Sequence, residues 1–176
     1  MASAAQHLTP LTLELGGKSP ALVAQDYDIK DAALRITHGK VAMAGQICVA
    51  PDYALVPEVK LAAFCDAVKT AFNQFYPEGV VNRPEYCSVI NPRQLARLNE
   101  LLDDARAKGA TVTAVAPWDG GLRMPLHLVT NVSADMRVMQ EEVFGPILPV
   151  MGYESVAQSI QYVQAQPHPL ALYVFT

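Results

Sequence analysis

The sequence predicts an α/β fold: a three-layer, mostly parallel sheet with helices on both faces, closed as a single domain over residues 1–176. Two observations lead there. Short apolar runs of strand type alternate almost throughout with longer stretches of three-to-four periodicity, the pattern that feeds right-handed crossovers. A chain of 176 residues that is 51% hydrophobic and 17% charged can also close a real core, burying roughly 70% of its unfolded surface.

The elements follow in order. Leu11 to Leu15 alternates apolar and polar residues and reads as a half-buried strand ending at Gly16-Gly17. After Pro20, Ala21 to Ala24 is a short extended segment. Asp28 is placed to cap a helix over Ile29 to Ala44, with Ala33, Ile36, the stem of Lys40, Val41 and Ala44 near one face and Gly45 as its stop. Tyr53 to Val56 is a strand. Glu58 to Phe75 is a helix whose inward stripe carries Leu61, Phe64, Cys65, Val68, Ala71, Phe72 and Phe75. Pro77, Gly79, Asn82 and Pro84 make the next ten residues a loop.

Asn91-Pro92 supplies a cap and a first-turn proline to a helix reaching Lys108, with Leu95, Leu98, Leu102 and Ala105 inward and Gly109 as its stop. Thr111 to Ala116, Leu126 to Val132 and Ile147 to Tyr153 are strands, the first two separated by a loop at Pro117–Gly121. Ser155 caps a helix to Ala165, which Pro167 and Pro169 break, and Leu170 to Phe175 is an apolar run suited to a buried strand.

The totals exclude several classes. A net charge of −4 without a basic cluster argues against nucleic acid as a partner. Cysteines 48, 65 and 87 form no CxxC pair and meet no ladder of histidines, so neither a disulfide framework nor a metal site is expected, and a reducing, cytoplasmic location is the simpler one. No signal-peptide pattern opens the chain and no apolar run approaches the about 18 residues of a membrane span.

Three constellations could carry chemistry. Cys48 is either a small buried hydrophobe or a nucleophile; Gly45-Gln46 before it and Val49-Ala50-Pro51 after it place it in a loop entry rather than on a helix stripe. Glu14 is either a solvated or paired strand residue, or a general base held at a strand's C-terminal end. Met139–Pro146 is a turn with two carboxylates and an aromatic, in which a carboxylate can hold a ribose while the ring packs on a planar ligand. Gly16-Gly17-Lys18-Ser19 lacks the spacing of a phosphate loop, and Lys18 reads as ion-paired or solvated. No histidine stands in triad-like order with a serine or cysteine.

In this order and spacing the three strings resemble the aldehyde dehydrogenase superfamily: Leu13-Glu14-Leu15-Gly16-Gly17-Lys18-Ser19-Pro20, then Gly45-Gln46-Ile47-Cys48, then Glu141-Glu142-Val143-Phe144-Gly145-Pro146. Pro51-Asp52-Tyr53, Asp103–Ala110 and Pro169–Phe175 look most like the branch of coniferyl aldehyde dehydrogenases and class 3 enzymes. The resemblance implies that Cys48 attacks an aldehyde, that Glu14 activates the water that releases the acid, and that Glu142 and Phe144 hold the ribose and nicotinamide side of NAD or NADP. It implies a carbonyl contact to the cofactor from Leu15 and a homo-oligomeric parent.

Family members are several hundred residues long and begin with a Rossmann cofactor-binding domain, so this chain is expected to be most of an excised catalytic domain, inactive alone. Met43 stands where many members have asparagine. Two other readings remain open from the residues: a non-catalytic folding or interaction module, and cofactor-independent thioester or ester hydrolysis by Cys48 and Glu14.

Overall fold

The computed structural model describes residues 1–81 and 83–176; Asn82, expected in a loop, lies outside the described residues. Pro20–Val23 (β1) and Tyr53–Pro57 (β2) are buried at every position, as parallel strands covered on both faces should be. With Thr111–Ala114 (β3), His127–Thr130 (β4), Ile147–Tyr153 (β5) and Tyr173–Phe175 (β6) they form a six-stranded sheet of order β3-β4-β5-β2-β1-β6. Only the β3–β4 pair is antiparallel.

The two faces can be read from the strand alternation. Ala21, Val23, Ala54, Val56, Leu148 and Val150 point to one side, where Ala33 and Ile36 of the helix Ile29–Val41 (α2) and Phe64, Val68 and Phe72 of the helix Leu61–Phe75 (α3) cover them. Leu22, Tyr53, Leu55, Val129 and Ile147 point to the other. There they meet Leu98, Leu101 and Leu102 of the helix Pro92–Ala107 (α4) and Val138 of the single turn Arg137–Gln140 (α5). Tyr162 of the helix Val156–Gln164 (α6) packs at the margin of that second core. One further turn, Ala2–Ala5 (α1), opens the chain and buries nothing.

The caps are those the sequence predicts. Asp28 accepts the Lys30 and Asp31 N–H groups, both at 2.8 Å. Asn91 accepts Gln94 N–H at 2.9 Å, and Ser155 accepts Gln158 N–H at 3.3 Å. Each such cap is worth about 1 kcal/mol.

Several expectations are corrected. Leu11–Leu15 is no strand: the segment is exposed and pairs with none of the six strands, and β2 and β6 already flank β1 on both sides. The helix from Ile29 stops at Val41 rather than Ala44, since Met43 and Ala44 enter the left-handed region at φ +48° and +54°. Leu170–Phe175 is not buried; only Tyr173–Phe175 pairs, and it does so as a half-exposed edge strand. Finally, Glu58–Lys60 is a 3₁₀ turn ahead of α3, on which Cys65 is half-buried, and β3 and β4 are shorter than expected. Among the described residues no helix is long and apolar enough to cross a membrane.

Phe72 is fully buried and its ring meets those of Tyr76 and Tyr86. Phe72→Ala should lower unfolding free energy by about 3–5 kcal/mol in guanidinium denaturation, whereas Val174→Ala on the half-exposed edge strand should cost under about 1 kcal/mol.

Candidate active site

The site is assembled at the amino ends of β1, β2 and β5, not at the carboxyl end of a strand as Glu14's position in the sequence suggests. Lys18 stands two residues ahead of β1 and Asp52 one ahead of β2, parallel neighbours whose register pairs Pro20 with Tyr53, so the strands bring the two side chains together. They form an ion pair with side chains 15% and 4% exposed. The Lys18 ammonium also donates to the carbonyls of Val138 at 2.8 Å and Glu141 at 3.0 Å, and lies 5.7 Å from the centre of the Tyr53 ring. The second Asp52 oxygen accepts the Val143 N–H at 2.9 Å. From α4, Arg97 donates to the carbonyls of Glu142 and Val143. Five hydrogen bonds from three side chains thus hold the turn that carries Glu142 and Phe144.

That turn interlocks with both other motif segments. The Glu142 carboxylate rests directly on Gly16, where a Cβ would overlap it, and the neighbouring Gly17 N–H favours its charged form. Burial raises the Glu142 carboxyl above its ordinary range; the Gly17 backbone N–H, Lys18 and Lys40 pull it back, while Asp52 adds to the rise. Gly145 meets Gly45 backbone to backbone, and a side chain at Gly45 would run into the Gly145 carbonyl. A residue at Gly45 must also accept φ +70°. Phe144 sits at φ +46° and the residue is 43% exposed.

Between these segments lies a groove of about 730 Å³, lined by Met43, Gln46, Cys87, Arg97, Glu142 and Phe144 among others. A smaller cavity of about 160 Å³ opens on the other side of Glu142, against Gly17, Lys18, Tyr53 and Tyr162. The structure therefore brings Glu142 and Phe144 together in one groove and carries the Cys48 turn to its edge. Neither Cys48 nor Glu14 lines the groove. Cys48 is a half-buried free thiol; Glu14 is exposed, its carboxylate accepting the Gly16 N–H at 3.2 Å. Cys65 is packed against the core and burial pushes its thiol up, whereas Cys87 is exposed at the groove. No cluster of three or more metal-ligating side chains occurs among the described residues.

Sequence reasoning missed three contributors. Asp52 and Arg97 became visible only as anchors across 91 and 45 positions of chain. Lys40 was expected to bury only its stem, but the whole residue is inside and its Nζ has no hydrogen-bond partner among the described residues. Desolvation pushes its pKa down to about 8 against the attraction of Asp52 and Glu142, with Lys18 adding to the fall.

Fold and interlocked turns together define an α/β domain that sets a thiol-bearing turn against a carboxylate-bearing one. The chain belongs to the aldehyde dehydrogenase family, whose model matches residues 1–176. It is 51% identical over 175 residues to a Pseudomonas aeruginosa protein described as a probable coniferyl aldehyde dehydrogenase, covering 99% of this chain and 37% of that one. Its fold matches a substrate-bound Staphylococcus aureus AldH at TM-score 0.90 and 36% identity, over 99% of this chain and 38% of the other. It matches a Staphylococcus aureus betaine aldehyde dehydrogenase in complex with NAD+ at TM-score 0.84 and 29% identity, over 99% and 36%. The chain thus spans little more than a third of the length of these relatives.

Asp52→Asn should destabilise the chain by about 3 kcal/mol, measured by denaturant unfolding, because it leaves the Lys18 ammonium enclosed without its counter-charge. Lys40 gives a pH signature. Its folded pKa is depressed, so between pH 8 and about 10.4 the unfolded state binds more proton and the stability it contributes rises with pH; below pH 8 both states are charged and the full cost of burial stands. Lys40→Met should therefore raise stability by about 2 kcal/mol near pH 7, and the difference from wild type should shrink as pH approaches about 10.

Proposed function

We propose that this chain carries the nucleophile and base of an NAD(P)-dependent aldehyde dehydrogenase that oxidises an aldehyde, of aromatic coniferyl type, to its carboxylic acid. The observation that carries the reading is the interlock of the three motif segments: the Glu142 carboxylate on Gly16 and Gly17, and Gly145 on Gly45. The third string packs its Glu142 carboxylate on Gly16, 126 positions away, and its Gly145 backbone on Gly45, 100 positions away, which a mere folding module has no need to arrange.

The Cys48 thiolate attacks the aldehyde carbon, forming a carbon–sulfur bond and an oxyanion that the Cys48 backbone N–H helps to hold. The groove suits a nicotinamide cofactor: Glu142 offers acceptors for ribose hydroxyls and the exposed Phe144 ring offers a face to a planar group. When bound, such a cofactor would supply the hydride acceptor, and Cys48 would be left as a thioester. Glu14 then removes a proton from water as it attacks the thioester carbonyl, and the acid leaves with the thiolate restored. For this the Glu14 carboxylate gives up one exposed hydrogen bond to Gly16, worth about 1 kcal/mol. The three free cysteines suit a reducing, cytoplasmic setting.

The test is turnover of an aromatic aldehyde with NAD or NADP by the full open reading frame carrying these residues. Cys48→Ala should remove it. Glu14→Gln should leave the first hydride transfer and slow thioester release by about 10²-fold or more. Turnover that survives Cys48→Ala would overturn the reading. The 176 residues alone, a little over a third of the relatives' length, should oxidise little aldehyde.

A further inference from the structure

The turn that delivers the chain to Cys48 is strained. Met43, Ala44 and Gly45 occupy the left-handed region in succession, at φ +48°, +54° and +70°. Glycine does so freely; two consecutive residues with side chains do not, and such a turn persists only where its surroundings over-determine it.

Gln46 supplies that determination. Its backbone N–H donates to the Met43 carbonyl at 3.2 Å. Its side-chain Nε2 donates to the same carbonyl at 2.9 Å and to the Ser88 carbonyl at 3.0 Å. Its Oε1 accepts the Ile90 N–H at 2.9 Å. One amide side chain thus uses both donor hydrogens and an acceptor to tie the strained turn to a segment more than 40 positions away. The far end is itself fixed to the body of the domain. The Val89 N–H donates to the Leu122 carbonyl at 2.8 Å, and the hydroxyl of fully buried Tyr86 donates to the Met124 carbonyl at 2.8 Å.

We propose that Gln46 is a positioning residue for Cys48: by bridging Met43 to Ser88 and Ile90 it locks the left-handed turn and so sets where the sulfur is held. Met43 sharpens the case. Asparagine, expected at this position from the family resemblance, enters the left-handed conformation more readily than methionine, so this chain depends more on the bridge. The functional meaning rests on Cys48 being the nucleophile, but the bridge can be tested on the thiol itself.

The experiment is iodoacetamide alkylation of the folded 176-residue chain as a function of pH, followed by peptide mass spectrometry, with Cys65 on α3 as internal reference. In Gln46→Ala the rate at Cys48 relative to Cys65 should rise about tenfold at each pH, while the absolute rate at Cys65 stays unchanged. Gln46→Glu, which keeps the acceptor for Ile90 and loses both donors, should fall between. Adding Met43→Asn to Gln46→Ala should return the ratio toward wild type, because the turn then needs less holding. An unchanged ratio, a parallel rise at both thiols, or no recovery with Met43→Asn would overturn the proposal. Dehydrogenase turnover that survives Cys48→Ala would remove the proposed function and leave the bridge result standing.

Discussion

The enclosed pair of Lys18 and Asp52 is the constraint on which the site depends. Each residue stands just ahead of a central strand, and each spends its remaining hydrogen-bonding capacity on the turn from Val138 to Val143. A pair this far from water is a poor source of net stability, because desolvation offsets much of the attraction. Its contribution is geometric: with both charges committed, the turn that carries Glu142 and Phe144 has one place to be. Arg97 reaches the same turn from α4, so sheet and helix layer agree on its position.

Close backbone approach does the rest. Gly16 and Gly45 lie where the Glu142 carboxylate and the Gly145 carbonyl leave no room for a side chain, and both have positive φ. The price is local strain at Met43, Ala44 and Phe144, three residues with side chains at positive φ within these turns. Strain of this kind marks places that the surrounding packing must hold, and here Gln46, Arg97 and the Lys18–Asp52 pair are the groups that hold them.

Lys40 gives the region an unusual electrostatic floor. Two lysines and two carboxylates, Lys18, Lys40, Asp52 and Glu142, act on one another, yet only Lys18 and Asp52 are paired directly. The Lys40 amine is buried without a partner among the described residues and holds its proton weakly, while burial makes the Glu142 carboxyl reluctant to ionise. Each charge eases the other's burial, which couples α2 to the carboxylate turn through the field rather than through a contact.

Most of the fold was legible in the sequence. The caps Asp28, Asn91 and Ser155, the strands at Tyr53 and Ile147, and the stripes of α3 and α4 follow from side-chain chemistry that acts within a few residues. The order of three motifs was enough to indicate the family. Sequence could not show that Leu11–Leu15 would find no strand to pair with, that Leu170–Phe175 would reach only a sheet edge, or that the Lys40 amine would be enclosed. Alternation and apolarity say which face a segment offers; whether a partner stands there is decided by residues far along the chain. Nor could it show the roles of Asp52, Arg97 and Gln46, whose hydrogen bonds span 91, 45 and 44 positions and exist only once the sheet has set the register of β1 against β2.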